Sequence, residues 1–166
     1  MRVYLPSTLP AVARLFHPGA GPYLPDHGYA VTPALREWYS SGDLEELEYV
    51  AMTHAARESL RLLAADPAAS RRRVVLAAEV PDQQVASDGD FAEPAVVRIT
   101  GAIRLRDIVA GHVDDPAVSA EIEAAVGALK AADEGDGDAR FIVDGAEGCE
   151  LQWYATQELT DLGSEH

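Results

Sequence analysis

His112 and Asp114 come nearest, in type and spacing, to a metal-binding pair. Side chains two residues apart on a strand share a face, so this imidazole and carboxylate could together bind Zn or Mn. A complete site needs further ligands, and no second group of His, Asp or Cys lies at a recognisable spacing. Asp115, the next acid, precedes Pro116 and is explained as a helix N-cap. The sequence therefore predicts no metal ion and no cofactor.

Both tryptophans stand beside a tyrosine and form the two clusters best suited to binding. Trp and Tyr near Arg are over-represented at the hot spots of protein interfaces. Large aromatic side chains also dominate hydrophobic cores, so core packing is the alternative for each cluster. On a strand, the two aromatics of the second cluster must point to opposite faces. The clusters consist of Arg36, Glu37, Trp38 and Tyr39, and of Trp153 and Tyr154.

Motifs for nucleophilic catalysis and phosphate binding are missing from the sequence. Cys149 is the single cysteine, which excludes an intrachain disulfide, and the neighbouring Glu147 and Glu150 disfavour a reactive thiolate. No G-x-S-x-G elbow, P-loop or dinucleotide-binding glycine pattern occurs. The catalytic residues are therefore unknown, and whether the protein is an enzyme stays open.

The charge balance restricts the partners. The chain has 28 acidic and 13 basic residues, which gives a formal net charge of −15. Such a charge repels nucleic acid and anionic membranes, so neither is predicted as a partner. The N-terminus lacks the apolar core of a signal peptide, and no apolar run reaches the ~20 residues that span a bilayer. The expected location is the cytoplasm.

Length and composition predict one folded domain over residues 1–166. Hydrophobic residues make up 48% of the chain, enough for a sizeable core. Lys130 is the only lysine among 13 basic residues, and together with abundant Ala, Gly, Asp and Pro this indicates a GC-rich bacterial genome. The polar stretch 82–93, with Asp88-Gly89 as a turn signal, is expected to be a flexible loop between two strands that pair.

Helix start signals recur along the chain. Ser7 or Thr8, Thr32 before Pro33, and Asp43 each provide an N-cap, and the Asp115-Pro116 step provides another. Apolar spacing predicts helices that begin after each of these caps, the longest ending near residue 65. A short helix is expected after residue 155.

Seven stretches show the composition or alternation of strands. They are residues 3–5, 29–31, 74–80, 96–103, 108–113, 141–143 and 151–155. Their interleaving with helices favours an α/β fold, with α+β as the alternative. The predicted architecture is a single mixed sheet of about five to seven strands with helices packed on it.

Five stretches carry a resemblance to a known family. They are residues 2–6 (RVYLP), 30–39 (AVTPALREWY), 45–49 (EELEY), 72–81 (RRVVLAAEVP) and 151–158 (LQWYATQE). Together they resemble a family of uncharacterised actinobacterial proteins with a domain of unknown function. The resemblance spans most of the chain and implies no activity, cofactor or catalytic residue.

Two hypotheses of function remain. The first is a cytosolic, non-enzymatic interaction or regulatory module, either homodimeric or with another protein partner. It predicts an exposed apolar-aromatic patch at 38–39 or at 153–154. The second is a small-molecule-binding protein or enzyme whose site gathers residues distant in sequence, with a pocket near the carboxyl ends of the strands. Its candidates are Arg36, Glu37, His112, Asp114 and Tyr154. The missing catalytic motifs favour the first hypothesis.

Overall fold

A single open sheet forms the centre of the structure, a computed structural model that describes residues 1–88 and 92–163. Within these residues the sheet has seven strands, and every pairing is antiparallel. The strands are β1 (Arg2–Ser7), β2 (His27–Tyr29), β3 (Val74–Glu79), β4 (Val85–Ser87), β5 (Val96–Ile99), β6 (Ile108–Asp114) and β7 (Leu151–Ala155).

Six α-helices accompany the sheet in the described residues. They are α1 (Leu9–Phe16), α2 (Pro33–Trp38), α3 (Leu44–Ala65), α4 (Ser119–Asp133), α5 (Gly137–Ala146) and α6 (Thr156–Gly163). The side chains of Thr8, Thr32 and Asp43 accept hydrogen bonds from the first N–H groups of α1, α2 and α3. Asp115 likewise caps the 3₁₀ turn that precedes α4. The N-caps predicted from the sequence are therefore confirmed.

The strand order β4-β5-β2-β1-β3-β6-β7 places β1 and β3 in the middle of the sheet. These two strands pair along their whole length, from Arg2 opposite Glu79 to Ser7 opposite Val74. Both faces of β3 are buried, which explains why its sequence is almost continuously apolar instead of alternating.

Helices cover both faces of the sheet. Successive strand residues alternate between the faces. Leu5 and Leu76 pack with α1 and α6, whereas Tyr4 and Ala77 pack with α2 and α3. We call these the α1/α6 face and the α3 face.

α4 and α5 form a further layer against the C-terminal half of α3. Leu60 and Leu63 of α3 pack there with Ile122 of α4 and Val143 of α5. Nearer the start of α3, Tyr49 keeps 53% of its surface exposed. The N-terminal half of the long helix is therefore less covered than the C-terminal half.

A buried ion pair joins β3 to β6. The Arg73 guanidinium donates two hydrogen bonds to the Asp114 carboxylate, at 2.8 and 2.9 Å, and the Arg73 backbone N–H donates a third at 2.7 Å. Arg73 also donates to the carbonyl of Cys149 at 2.8 Å, which ties β3 to the segment between α5 and β7.

The α/β fold and its single sheet of seven strands are confirmed, and three details differ from the sequence analysis. The sheet is antiparallel where a mixed sheet is predicted, because no helix here connects two neighbouring parallel strands. Residues 82–93 contain a 3₁₀ turn and β4, and β4, not β3, pairs with β5. Residues 89–91 of the predicted flexible loop lie outside the described residues.

The third difference concerns residues 141–143, which belong to α5 and not to a strand. Asp136 caps this helix, and Ala139, Val143 and Ala146 form its buried side. Phe141 is 80% exposed. The predicted strand is wrong because three apolar residues in a row fit either structure, and only the longer helical spacing separates the two.

Candidate functional site

The predicted aromatic residues fall on different sides of the sheet. Trp38 and Tyr39 lie at the end of α2 and are 55% and 42% exposed. Trp153 lies on β7 and is 62% exposed. Tyr154 points to the opposite face, where it is half-buried and packs against the core of the α1/α6 face. Three of the four aromatic side chains therefore reach solvent.

His112 connects Trp153 to the α3 face. The two residues are directly opposite each other in the pairing of β6 with β7, so their side chains share a face of the sheet. The His112 ring lies 6.4 Å from the ring of Tyr4, centroid to centroid, in a tilted arrangement. His112 also lines a cavity of about 270 Å³ with Tyr49 and Met52 of α3.

The remaining candidates do not join this arrangement. Arg36 and Glu37 are exposed on α2. Asp114 has no exposed surface and is fully engaged by Arg73. Tyr154 and His112 lie on opposite faces of the sheet. The five residues of the small-molecule hypothesis are therefore not gathered in one pocket.

Tyr49 is the residue that links the exposed aromatics, and the sequence analysis does not single it out. It lines the cavity beside His112, a second cavity of about 460 Å³ with Tyr39, and a third of about 190 Å³ with Met52 and Leu151. A continuous surface thus runs from the end of α2 across α3 to β7. We call it the aromatic surface and define it by Tyr39, Tyr49, Met52, His112 and Trp153.

Carboxylates surround the aromatic surface. Glu45, Glu46 and Glu48 from the start of α3 line its cavities on one side. Glu147 and Glu150, which follow α5, line the cavity on the other side. An apolar centre with an acidic rim results, and the sequence signal for that rim is the Glu-rich first turns of α3.

Buried polar groups at the centre of the surface are neutral at pH 7. The Tyr4 hydroxyl donates a hydrogen bond to Glu48 at 3.1 Å. Burial, helped by the charge of Glu48, raises the pKa of Tyr4 to about 12. Burial and the positive charge of Arg2 lower the pKa of His112 below its usual value. The Tyr4 hydroxyl and the His112 ring are therefore neutral groups at the centre of the surface.

Neither a metal cluster nor a membrane span is found in the described part of the chain. No group of three or more His, Cys, Asp or Glu residues there is arranged to hold a metal ion. Asp115, the acid predicted to be an N-cap, accepts hydrogen bonds from the Ala117 N–H and the Gln152 side chain. Among the described helices, none has the length and apolar character needed to cross a bilayer.

The fold and site define an α/β protein with an exposed aromatic surface. The chain belongs to the family of unknown function DUF6912, whose family model matches residues 1–162. The resemblance to a family of unknown function is thereby confirmed, while the actinobacterial source is still only what the resemblance implies. No curated protein and no solved structure gives a significant match.

Proposed function

We propose that the protein is a non-enzymatic interaction module that binds a basic segment of a partner protein on the aromatic surface. The observation that supports this most is the grouping of aromatic side chains on one face: Tyr39 and Tyr49 line one cavity, Tyr49 and His112 line another, and the exposed Trp153 lies opposite His112 in the sheet. Exposed apolar patches with a polar rim mark interaction sites, and Trp and Tyr supply most hot spots.

The anchoring residues are held in place before binding. Tyr49 lies on a helix of 22 residues whose far half is packed against α4 and α5. Trp153 is on a strand that pairs with β6 along all of its five residues. Side chains on such elements lose little further freedom on binding, which favours affinity.

Charge selects the kind of partner. Glu147 at the rim already pairs with Arg57 at 2.9 Å. The other four rim glutamates form no ion pair among the described residues and attract Arg and Lys side chains, and aromatic faces bind such cations as well. A second copy of the chain would place one acidic rim against another, and each copy carries a net charge of −15. A basic partner therefore fits this surface better than a homodimer does.

The test uses a fluorescein-labelled peptide of alternating Arg and Leu, with a Glu-and-Leu peptide of equal length as the control. Binding is followed by fluorescence anisotropy at physiological salt. We expect saturable binding of the Arg peptide only. Tyr49→Ala and Trp153→Ala should each weaken it by about tenfold or more, as hot-spot aromatics do.

Phe141→Ala is the matched control, because Phe141 is an exposed aromatic on α5 outside the aromatic surface. It should leave the affinity unchanged. Equal losses in Phe141→Ala and Tyr49→Ala would mean that the peptide binds the acidic protein without using the aromatic surface. If native mass spectrometry finds a dimer for the wild type and a monomer for Tyr49→Ala, the aromatic surface binds a second copy of the chain instead.

A further inference from the structure

A cavity of about 650 Å³ lies beside α1, on the α1/α6 face of the sheet. Its walls are residues of α1 and the segment 17–23 that follows this helix. It shares no lining residue with the three cavities of the aromatic surface. The volume falls in the range of small-molecule sites, and most of the lining is apolar.

The charge at this cavity is opposite to that of the protein. Its lining contains Arg14 and His17 and no Asp or Glu. The three cavities of the aromatic surface are each lined by two glutamates. In a chain of net charge −15, a cavity lined by an arginine and no carboxylate favours an anion over a cation.

Two polar groups at the cavity have no protein partner. Among the described residues, nothing forms an ion pair or hydrogen bond with the Arg14 guanidinium or the Tyr23 hydroxyl, whereas Arg57, Arg61 and Arg71 each pair with carboxylates. Burial alone raises the pKa of Tyr23 to about 12, so its hydroxyl is a neutral donor at pH 7.

His17 contributes a third group. Its Nδ1 lies 2.7 Å from the carbonyl oxygen of Pro18 and donates to it, which leaves Nε2 available. A mostly apolar cavity with a few convergent polar groups is the usual form of a ligand site. Here the polar side chains that line the cavity are a guanidinium, a phenol and an imidazole.

We propose that this cavity binds a small amphipathic anion, with an apolar body and a carboxylate or phosphate head. Arg14 pairs with the head, the Tyr23 hydroxyl donates a hydrogen bond to it, and the apolar lining covers the body. This site is separate from the aromatic surface, and it stands whether or not a basic partner binds there.

The test is titration of the full-length protein with octanoate, octyl phosphate and 1-octanol, followed by ¹H–¹⁵N NMR. Both anions should shift the amides of residues 13–23 saturably, and 1-octanol, which has the same tail without charge, should bind at least about tenfold more weakly. The ratio of the two anion affinities then shows which head group the site prefers.

Arg14→Gln should weaken both anions by about tenfold or more and leave 1-octanol unchanged, because a charged hydrogen bond is lost. Tyr23→Phe should weaken them by roughly fivefold. Arg36→Gln is the matched control, since Arg36 is also exposed in the last turn of a short helix but lies outside the cavity. Equal binding of octanol and octanoate, full affinity in Arg14→Gln, or shifts confined to other residues would each overturn the proposal.

Discussion

Removing the charge of Asp114 tests whether the ion pair between β3 and β6 is as buried as the structure indicates. The carboxylate has no exposed surface and the Arg73 side chain is 2% exposed. In Asp114→Asn the guanidinium stays in place. Arg73 donates three hydrogen bonds to the carboxylate, two from the guanidinium and one from the backbone N–H, and the single amide oxygen of Asn can accept two of them at most. A buried positive charge is then left without its counter-charge.

The expected loss is about 3–5 kcal/mol of the free energy of unfolding, the usual cost of breaking one side of a buried pair. Arg73 keeps its hydrogen bond to the Cys149 carbonyl, so we expect a loss nearer to about 3 than to 5 kcal/mol. For a chain of 166 residues this corresponds to a fall in Tm of roughly 6–20 °C.

Urea unfolding followed by circular dichroism measures this loss. Asp144→Asn is the control, because Asp144 pairs with Arg57 at 2.9 Å on the surface, where such a pair contributes below about 1 kcal/mol. The double change Arg73→Met with Asp114→Leu should be more stable than Asp114→Asn alone, since no unpaired charge remains. A loss in Asp114→Asn no larger than in Asp144→Asn would refute the reasoning.

Two further predictions concern packing and pH. A Cβ added at Gly111 would lie 2.5 Å from the nearest methyl of Leu159. Gly111→Ala should therefore lower the free energy of unfolding by about 1–3 kcal/mol, because the added methyl forces α6 away from the sheet. An unchanged Tm would contradict this close contact. Burial lowers the pKa of His54 and His112 below 6.5, so the folded state binds fewer protons than the unfolded state. Stability is therefore full above about pH 6.5 and falls as the pH drops below it. In His54→Phe, which keeps a ring against Tyr29, the fall between pH 7 and 5 measured by urea unfolding should be smaller than in the wild type, and an equal fall would exclude His54 as a source.

Local sequence signals predict most of the elements of this fold. Thr32 before Pro33 and Asp43 before the long helix act as caps through their own side chains, so a few neighbouring residues specify them. The apolar run of β3 likewise indicates a central strand. The antiparallel pairing of β1 with β3 joins residues 67 to 77 positions apart, which no local pattern contains.

The aromatic surface could be predicted only in part. Trp153 and Tyr39 stand out by residue type. Tyr49 is one of many apolar residues along the long helix and has no neighbouring Trp to mark it. Its exposure depends on where α4 and α5 end along α3. Asp114 is the opposite case, a residue that the sequence suggests as a metal ligand and the structure does not. Its carboxylate is two residues from His112, but it forms a buried ion pair with Arg73. Unoccupied groups such as Arg14 and Tyr23 are visible only in three dimensions.

The central position of β1 bears on how the chain folds during synthesis. Residues 2–7 leave the ribosome well before β3, the strand that pairs with β1 along its whole length, because β3 ends 72 residues after β1 does. α1 obtains its packing partner even later. That partner is α6, which begins at Thr156 and packs against α1 where Gly163 closely approaches Ala13. Most of the chain must therefore be made before either face of the sheet is closed. Non-local pairing of this kind slows folding and leaves apolar strands exposed meanwhile, so the nascent chain is an expected client of chaperones.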